Sequence, residues 1–219
     1  MPSILTVERT SDAVAHLQQY FGRTWYPPGQ ENRGYTGGHF EDIGGRWNTP
    51  EAAFTITPAD LVAVTCLSVS IPAHAAIRIL GPEANAISAL LHEIPTDLDL
   101  WNALDEHLDD DSPAGRLWRL LRGSRDMGPT TTSKLIARKR ARLAPIYDDV
   151  VRSELGLRNS RGYWTGMRDL LNREVEPGKP LHDHLTELAR EAKLDPVVTP
   201  LRVLDVVVWK DGRSRWRQR

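Results

Sequence analysis

Proline stands where a helical pattern begins at Thr57-Pro58, Gly128-Pro129 and Thr199-Pro200. Proline has no amide hydrogen to leave unpaired, and its fixed φ suits the first turn of a helix. A threonine just before it can cap the open amides of that turn. Asp60, three positions after Thr57, places a negative charge at the positive end of the helix dipole. Leu61 to Ile71 and Leu201 to Trp209 follow two of these starts and are apolar nearly all round, which reads as buried helix. Their β-branched residues (Val62, Val64, Val69 and Ile71; Val206, Val207 and Val208) keep a strand open as an alternative.

Helical spacing recurs along the rest of the chain. Val7, Val14, Leu17 and Phe21 give residues 5–21 one apolar face, and helices are expected over 83–93, 97–108, 114–122, 130–142, from about 149, 162–173 and 180–193. Residues 22–50 differ, being rich in glycine, proline and aromatics, and form a long irregular segment whose aromatic content argues against disorder. The expected fold is all-α, with two helical lobes, a central cleft and a helix-hairpin-helix element. An acidic region 1–111 and a basic region 112–219 would form one compact unit.

The net charge of −1 conceals a division. Residues 1–110 hold 5 Lys+Arg against 15 Asp+Glu, a balance of −10, and residues 111–219 hold 23 against 14, a balance of +9. Such asymmetry points to a nucleic-acid partner, here DNA, unless the two halves neutralise each other by packing together. Cys66 stands alone, so a disulfide framework and a cysteine zinc site are both excluded, and it is expected to be a small buried hydrophobe. No apolar run is long enough for a membrane span and no secretory leader pattern opens the chain, so a cytoplasmic location is expected. His182 and His184, at i and i+2, do not share a helix face, and Asp109-Asp110-Asp111 reads as a solvated loop; no metal or cofactor is expected. No phosphate-cradling glycine pattern and no serine-hydrolase elbow is present. Nothing in the sequence sets the oligomeric state.

The most informative stretch runs from Leu120 to Val151. A helix ends near Gly123, a tight turn follows, and Pro129 opens a helix whose free amides suit a phosphate oxygen. Lys134, Arg138, Lys139, Arg140 and Arg142 lie on or just after that helix and would add sequence-independent affinity for a nucleic-acid backbone.

This stretch resembles the helix-hairpin-helix DNA glycosylase superfamily. Members carry a Gly-hydrophobic-Gly turn and a threonine, then a catalytic aspartate about twenty residues after the second glycine and a valine three positions beyond it. Met127, Gly128, Thr131, Asp148 and Val151 match, with Pro145-Ile146-Tyr147 ahead of the aspartate. Asp126 replaces the first glycine and can tolerate a left-handed backbone. Thr130 stands where bifunctional members carry a nucleophilic lysine, so the resemblance implies a monofunctional enzyme that uses water. The chain is also similar to an uncharacterised bacterial family of unknown function with a Ser-Lys-Leu-x-Ala-Arg-Lys-Arg run, here Ser133 to Arg140, and a Leu-Arg-Val-Leu-Asp-Val run, here Leu201 to Val206.

Base release would need a carboxylate beside the positively charged sugar of the transition state, and Asp148 is the expected catalytic residue, with Asp149 in reserve. Met127, Gly128, Thr130, Thr131 and the five cations would hold nucleic acid. Trp25, Tyr26, Tyr35, Trp47 and Tyr147 are the candidates to stack an extruded base. Asp148 also reads as a helix N-cap. The basic tail Lys210 to Arg219, which includes Trp216, suits phosphate contacts and stacking. The alternatives are a non-catalytic helix-hairpin-helix DNA-binding protein and a protein-interaction module.

Overall fold

The computed structural model describes residues 1–22, 35–50, 52–157, 160 and 162–216, with the side chains of Arg215 and Trp216 left aside. Two 3-10 turns, Ser3–Leu5 and Val7–Arg9, lead into α1 (Thr10–Phe21), and a third spans Thr36–His39. Then come α2 (Pro58–Thr65), α3 (Ala73–Leu80), α4 (Ala84–Glu93), a 3-10 turn at Leu100–Asn102, α5 (Asp105–Leu108) and α6 (Pro113–Arg122). The second half holds α7 (Pro129–Lys139), α8 (Asp149–Glu154), α9 (Tyr163–Leu171), a small antiparallel hairpin of β1 (Glu174–Glu176) and β2 (Lys179–Pro180), α10 (Leu181–Glu191) and α11 (Pro200–Trp216). The fold class is all-α. No helix among the described residues is long and apolar enough to cross a membrane.

The proline starts behave as their chemistry dictates. Pro58, Pro113, Pro129 and Pro200 each occupy the first position of a helix. The Thr57 amide donates to Asp60 Oδ2 at 2.8 Å, and Ser112 Oγ accepts the Gly115 amide at 2.9 Å. Three expectations change. Residues 97–108 make only a 3-10 turn and the short α5, because their backbone is engaged elsewhere: the Leu100 amide donates to Arg142 O at 3.0 Å and Arg168 Nη1 donates to Ala103 O at 3.0 Å. The helix from Leu61 stops at Thr65, and Ser68 turns the chain with φ 60°. Residues 201–209 are helix, and α11 runs on through Lys210 to Trp216, so this part of the expected basic tail is ordered helix.

One continuous cluster of buried residues extends from Ile4 to Val208. Within α11, Val203, Leu204, Val206, Val207 and Val208 are all essentially inaccessible, and α1, α8 and α10 pack around this helix. The α7 helix lies against α2 and α6.

The main departure from expectation concerns the basic run of α7. Arg138, Lys139 and Arg140 are 2%, 1% and 1% exposed. Arg138 donates to Phe40 O at 2.5 Å, Ile43 O at 3.0 Å and Gly45 O at 2.5 Å, and its Nε meets Asp60 Oδ1 at 3.1 Å. Lys139 Nζ lies 2.5 Å from Asp60 Oδ2 and donates to Ala52 O at 2.9 Å. Arg140 has no carboxylate partner among the described residues. It donates to Ala53 O at 2.8 Å, to Ile94 O at 2.9 Å and to Leu91 O, which covers the C-terminal end of α4. Burial lowers the Arg140 guanidinium to about 10, and the carbonyl cage with the Phe54 ring 5.5 Å away still favours the cation. These three residues are internal cross-links and face no solvent. A solvated phosphate-binding face, as expected from sequence, is therefore not what they form.

Part of the charge division is taken up by ion pairs between the halves, some buried and some at the surface. Arg138 and Lys139 pair with Asp60, Arg142 with Asp99, Arg116 with Glu93, Arg168 with Asp105 and Arg202 with Glu41, each a basic residue of the second half on an acidic residue of the first. Arg46 with Asp195, and Arg9 with Asp211, run the other way.

Removing one member of a buried ion pair strands its partner, at a cost of about 3–5 kcal/mol. Asp60→Ala should therefore lower unfolding free energy by about that amount in urea titration. Arg140→Met keeps the aliphatic stem but leaves buried carbonyls unpaired, at about 1–3 kcal/mol each, so a loss of about 3 kcal/mol is expected. Losses below about 1 kcal/mol in both variants would show that the internal cations do not hold these segments together.

Candidate functional site

Asp148 closes an irregular strap between α7 and α8. The strap is fixed from both sides: the Tyr147 amide donates to Ser133 Oγ at 2.9 Å, and the buried Tyr163 hydroxyl donates to Ile146 O at 2.9 Å. Ser133 in turn donates to Thr130 O at 3.0 Å. Asp148 is then in extended conformation and its Oδ1 accepts the Val150 amide at 2.9 Å, capping α8 as its sequence context predicts. Its other oxygen lies 3.9 Å from Lys134 Nζ.

Lys134 sits one turn into α7 and is 5% exposed. Its ammonium donates to Leu67 O at 2.9 Å, which is brought within reach by the left-handed turn at Ser68. Burial pulls the Lys134 pKa below its ordinary value, and the Asp148 carboxylate pulls the other way.

These groups open onto a polar cavity of about 340 Å³, toward the lower end of volumes that hold small molecules. Thr130, Lys134 and Asp148 line it from the α7–α8 side, and Arg202, Asp205 and Trp209 from α11. Tyr20 and Tyr35 contribute aromatic surface: their rings stack at 5.1 Å, and Trp209 meets them edge-on at 6.0 and 5.7 Å. Arg213, exposed on α11, holds its guanidinium 4.8 Å from the Trp209 ring centre and also lines the cavity.

Arg202 organises this end of the cavity. Its donors reach Glu41 Oε1 at 2.7 Å, Tyr20 Oη at 3.0 Å, Gly37 O at 2.9 Å and Asp205 Oδ2. A Cβ on Gly37 would fall 1.9 Å from the Tyr20 hydroxyl, so glycine is what permits this approach. Burial raises the Glu41 pKa. Burial also holds the Asp205 carboxyl up at about 6, against the pull of Arg202.

Of the residues singled out from sequence, the structure brings Asp148, Thr130, Lys134 and Tyr35 to one cavity. It separates the others. Met127 is 2% exposed and belongs to the core; Thr131 is buried in the first turn of α7. Gly128 caps the start of α7 with φ −70°, and a side chain there would meet nothing, so the approach to this helix start is open. Asp126 takes φ 66°, the left-handed conformation expected of it. Arg138, Lys139 and Arg140 are internal, and Arg142 is half-exposed with Asp99 as its partner. Trp47 is a core residue, 5% exposed, away from this cavity. Tyr147 packs edge-on to Tyr163 at 5.0 Å and is not part of the lining. Trp25 and Tyr26 lie outside the described residues. Asp149 is the first residue of α8 and pairs loosely with Arg152 at 3.4 Å. Cys66 is half-buried and lines the cavity instead of filling the core; burial raises its thiol pKa.

Sequence reasoning missed Tyr20, Arg202, Asp205 and Trp209. For Arg202 and Asp205 a signal existed: two opposite charges inside an otherwise apolar helix must be paired and internal. Tyr20 carried no such signal.

No curated protein and no solved structure matches the chain. A model describing a family of unknown function, DUF6308, matches residues 13–212 and takes in both the α7 run and the α11 run. The chain belongs to that family.

Proposed function

We propose that the protein is a monofunctional N-glycoside hydrolase that removes a base from a nucleic-acid or nucleotide substrate. The observation that carries this reading is Asp148: a carboxylate fixed at a helix start, beside a buried lysine, on the wall of an aromatic-lined polar cavity. A carboxylate there can stabilise positive charge developing on a sugar and accept a proton from attacking water. Tyr35 and Trp209, both half-buried, line the cavity and offer aromatic surface to a base there, while Tyr20 backs Tyr35 and is covered by Arg202. The resemblance of residues 120–151 to the glycosylase hairpin supports the same reading, as does the left-handed Asp126 where that hairpin has glycine.

The alternative of a non-catalytic duplex binder draws less support. Its affinity was to come from the α7 cations, and Arg138, Lys139 and Arg140 are internal. Among the described residues, the cations exposed on α6 and the hairpin turn are Arg116, Arg119, Arg122 and Arg125.

Base release from uracil-, hypoxanthine- and alkyl-base duplexes, and from the free nucleosides, tests the proposal by chromatography. Wild type should release a base from at least one, and Asp148→Asn should cut the rate by about 100-fold or more. No release from any of them would sink the reading. Duplex affinity measured against salt is a separate check. Binding through these four exposed cations alone gives a log–log slope of about −4 at most, at ~0.9 per phosphate neutralised. A slope of about −6 or steeper would reveal a further cationic surface and restore the duplex-binding alternative.

A further inference from the structure

The cavity holds a second carboxylate that the sequence pattern gave no reason to place beside Asp148. We propose that Asp205 is the proton-donating partner of Asp148 in this cavity, supplying a proton to the departing base while Asp148 receives one from water. The proton-donor role rests on the hydrolase reading; the pairing of the two carboxylates does not.

The geometry of Asp205 is unusual for a structural ion-pair residue. It lies in the middle of α11, flanked by Leu204 and Val206, and is 7% exposed. What remains accessible faces the cavity, which Asp205 lines together with Asp148 and Lys134. Oδ2 accepts from Arg202 Nη1. Oδ1 accepts no hydrogen bond among the described residues, so a proton carried there has the cavity as its outlet. Arg202 does not depend on Asp205 alone, because Glu41, the Tyr20 hydroxyl and Gly37 O also receive its donors. Asp205 can therefore change charge without stranding the guanidinium.

The charged and titratable groups around it come from every side: Arg202 on its own helix with Glu41 behind it, Tyr20 from α1, Lys134 from α7, Asp148 ahead of α8 and Tyr163 from α9. Burial is the largest influence on the Asp205 carboxyl and raises it; the Asp148 charge raises it further, and Arg202 and Lys134 oppose both. The outcome, about 6, leaves much of Asp205 protonated in mildly acidic solution. Asp148 has the Lys134 ammonium 3.9 Å away as its countercharge. Two carboxylates in different environments can thus divide the acid and base roles.

The step balances as follows. The bond between the sugar and the base nitrogen breaks, and its electron pair goes to the base. The Asp205 proton neutralises the base. Water oxygen bonds to the sugar carbon and yields a proton to Asp148. The products are the free base and a sugar hydroxyl, with Asp205 ionised and Asp148 protonated. A proton passing from Asp148 to Asp205 through cavity water restores the start.

The test has two arms. Carboxyl ¹³C titration of aspartate-labelled protein reads the pair without substrate. Wild type should show one aspartate with a midpoint near 6; Asp205→Asn should remove that signal, and Asp148→Asn should move it to lower pH by deleting a like charge. No such signal, or one that Asp148→Asn leaves in place, overturns the pairing. The second arm compares release of a neutral base with release of an alkylated, cationic base, which departs uncharged and needs no proton. Asp205→Asn should slow the first by about 100-fold and the second far less. In wild type, neutral-base release should fall as pH rises through about 6, since the acid form is lost there, and Asp205→Asn should lose that fall. Equal slowing of both substrates would mean a purely structural role and overturn the proposal. A wild type that releases no base, with the coupled titration present, would overturn the hydrolase reading and the leaving-group role while establishing the pair.

Discussion

The fold depends on a helix whose cations point inward. The α7 residues Arg138, Lys139 and Arg140 take up carbonyls of residues 40–53, the carboxylate of Asp60 and the open C-terminus of α4. Charged groups are costly to remove from water, and the cost is offset here by near-complete hydrogen bonding. The guanidinium geometry suits this work, because its donors diverge in a plane and reach several carbonyls at once. The irregular segment around Phe40 to Gly45 has no helical partner for its carbonyls, and Arg138 supplies one.

Because α7 is anchored this way, its remaining side chains are placed for a different purpose. Ser133 and Thr130 hold the strap that ends in Asp148, and Lys134 projects into the cavity. One helix therefore both ties the first half of the chain to the second and sets the position of the candidate carboxylate. The α11 helix repeats the arrangement. Arg202 joins α1, the Gly37 turn and Glu41, while Asp205, one turn along, reaches the same cavity. Structure and site share the same residues, so the polar interior need not be read as a sacrifice of stability alone.

The net charge pattern illustrates how composition can mislead. An acidic first half and a basic second half were consistent with a nucleic-acid surface or with mutual neutralisation, and the ion pairs linking the halves show that part of the asymmetry is neutralised within the chain. Counting charges along a chain does not reveal which of them see solvent.

Local chemistry determined what the sequence could express by itself. Proline and threonine placed the starts of α2, α7 and α11, and the residues around Asp148 made it a cap, because these signals act within a turn of the helix they control. The left-handed turn at Asp126 was legible for the same reason. The fate of the basic run was not, since its acceptors lie up to 98 residues away in irregular backbone, where periodicity carries no information. Nor was the cavity legible: it forms only where α1, the Gly37 and Ser68 turns, α7 and α11 converge. Only the tertiary structure could decide that Asp205 and Asp148 share one cavity, because their meeting depends on how distant helices pack and not on any spacing along the chain.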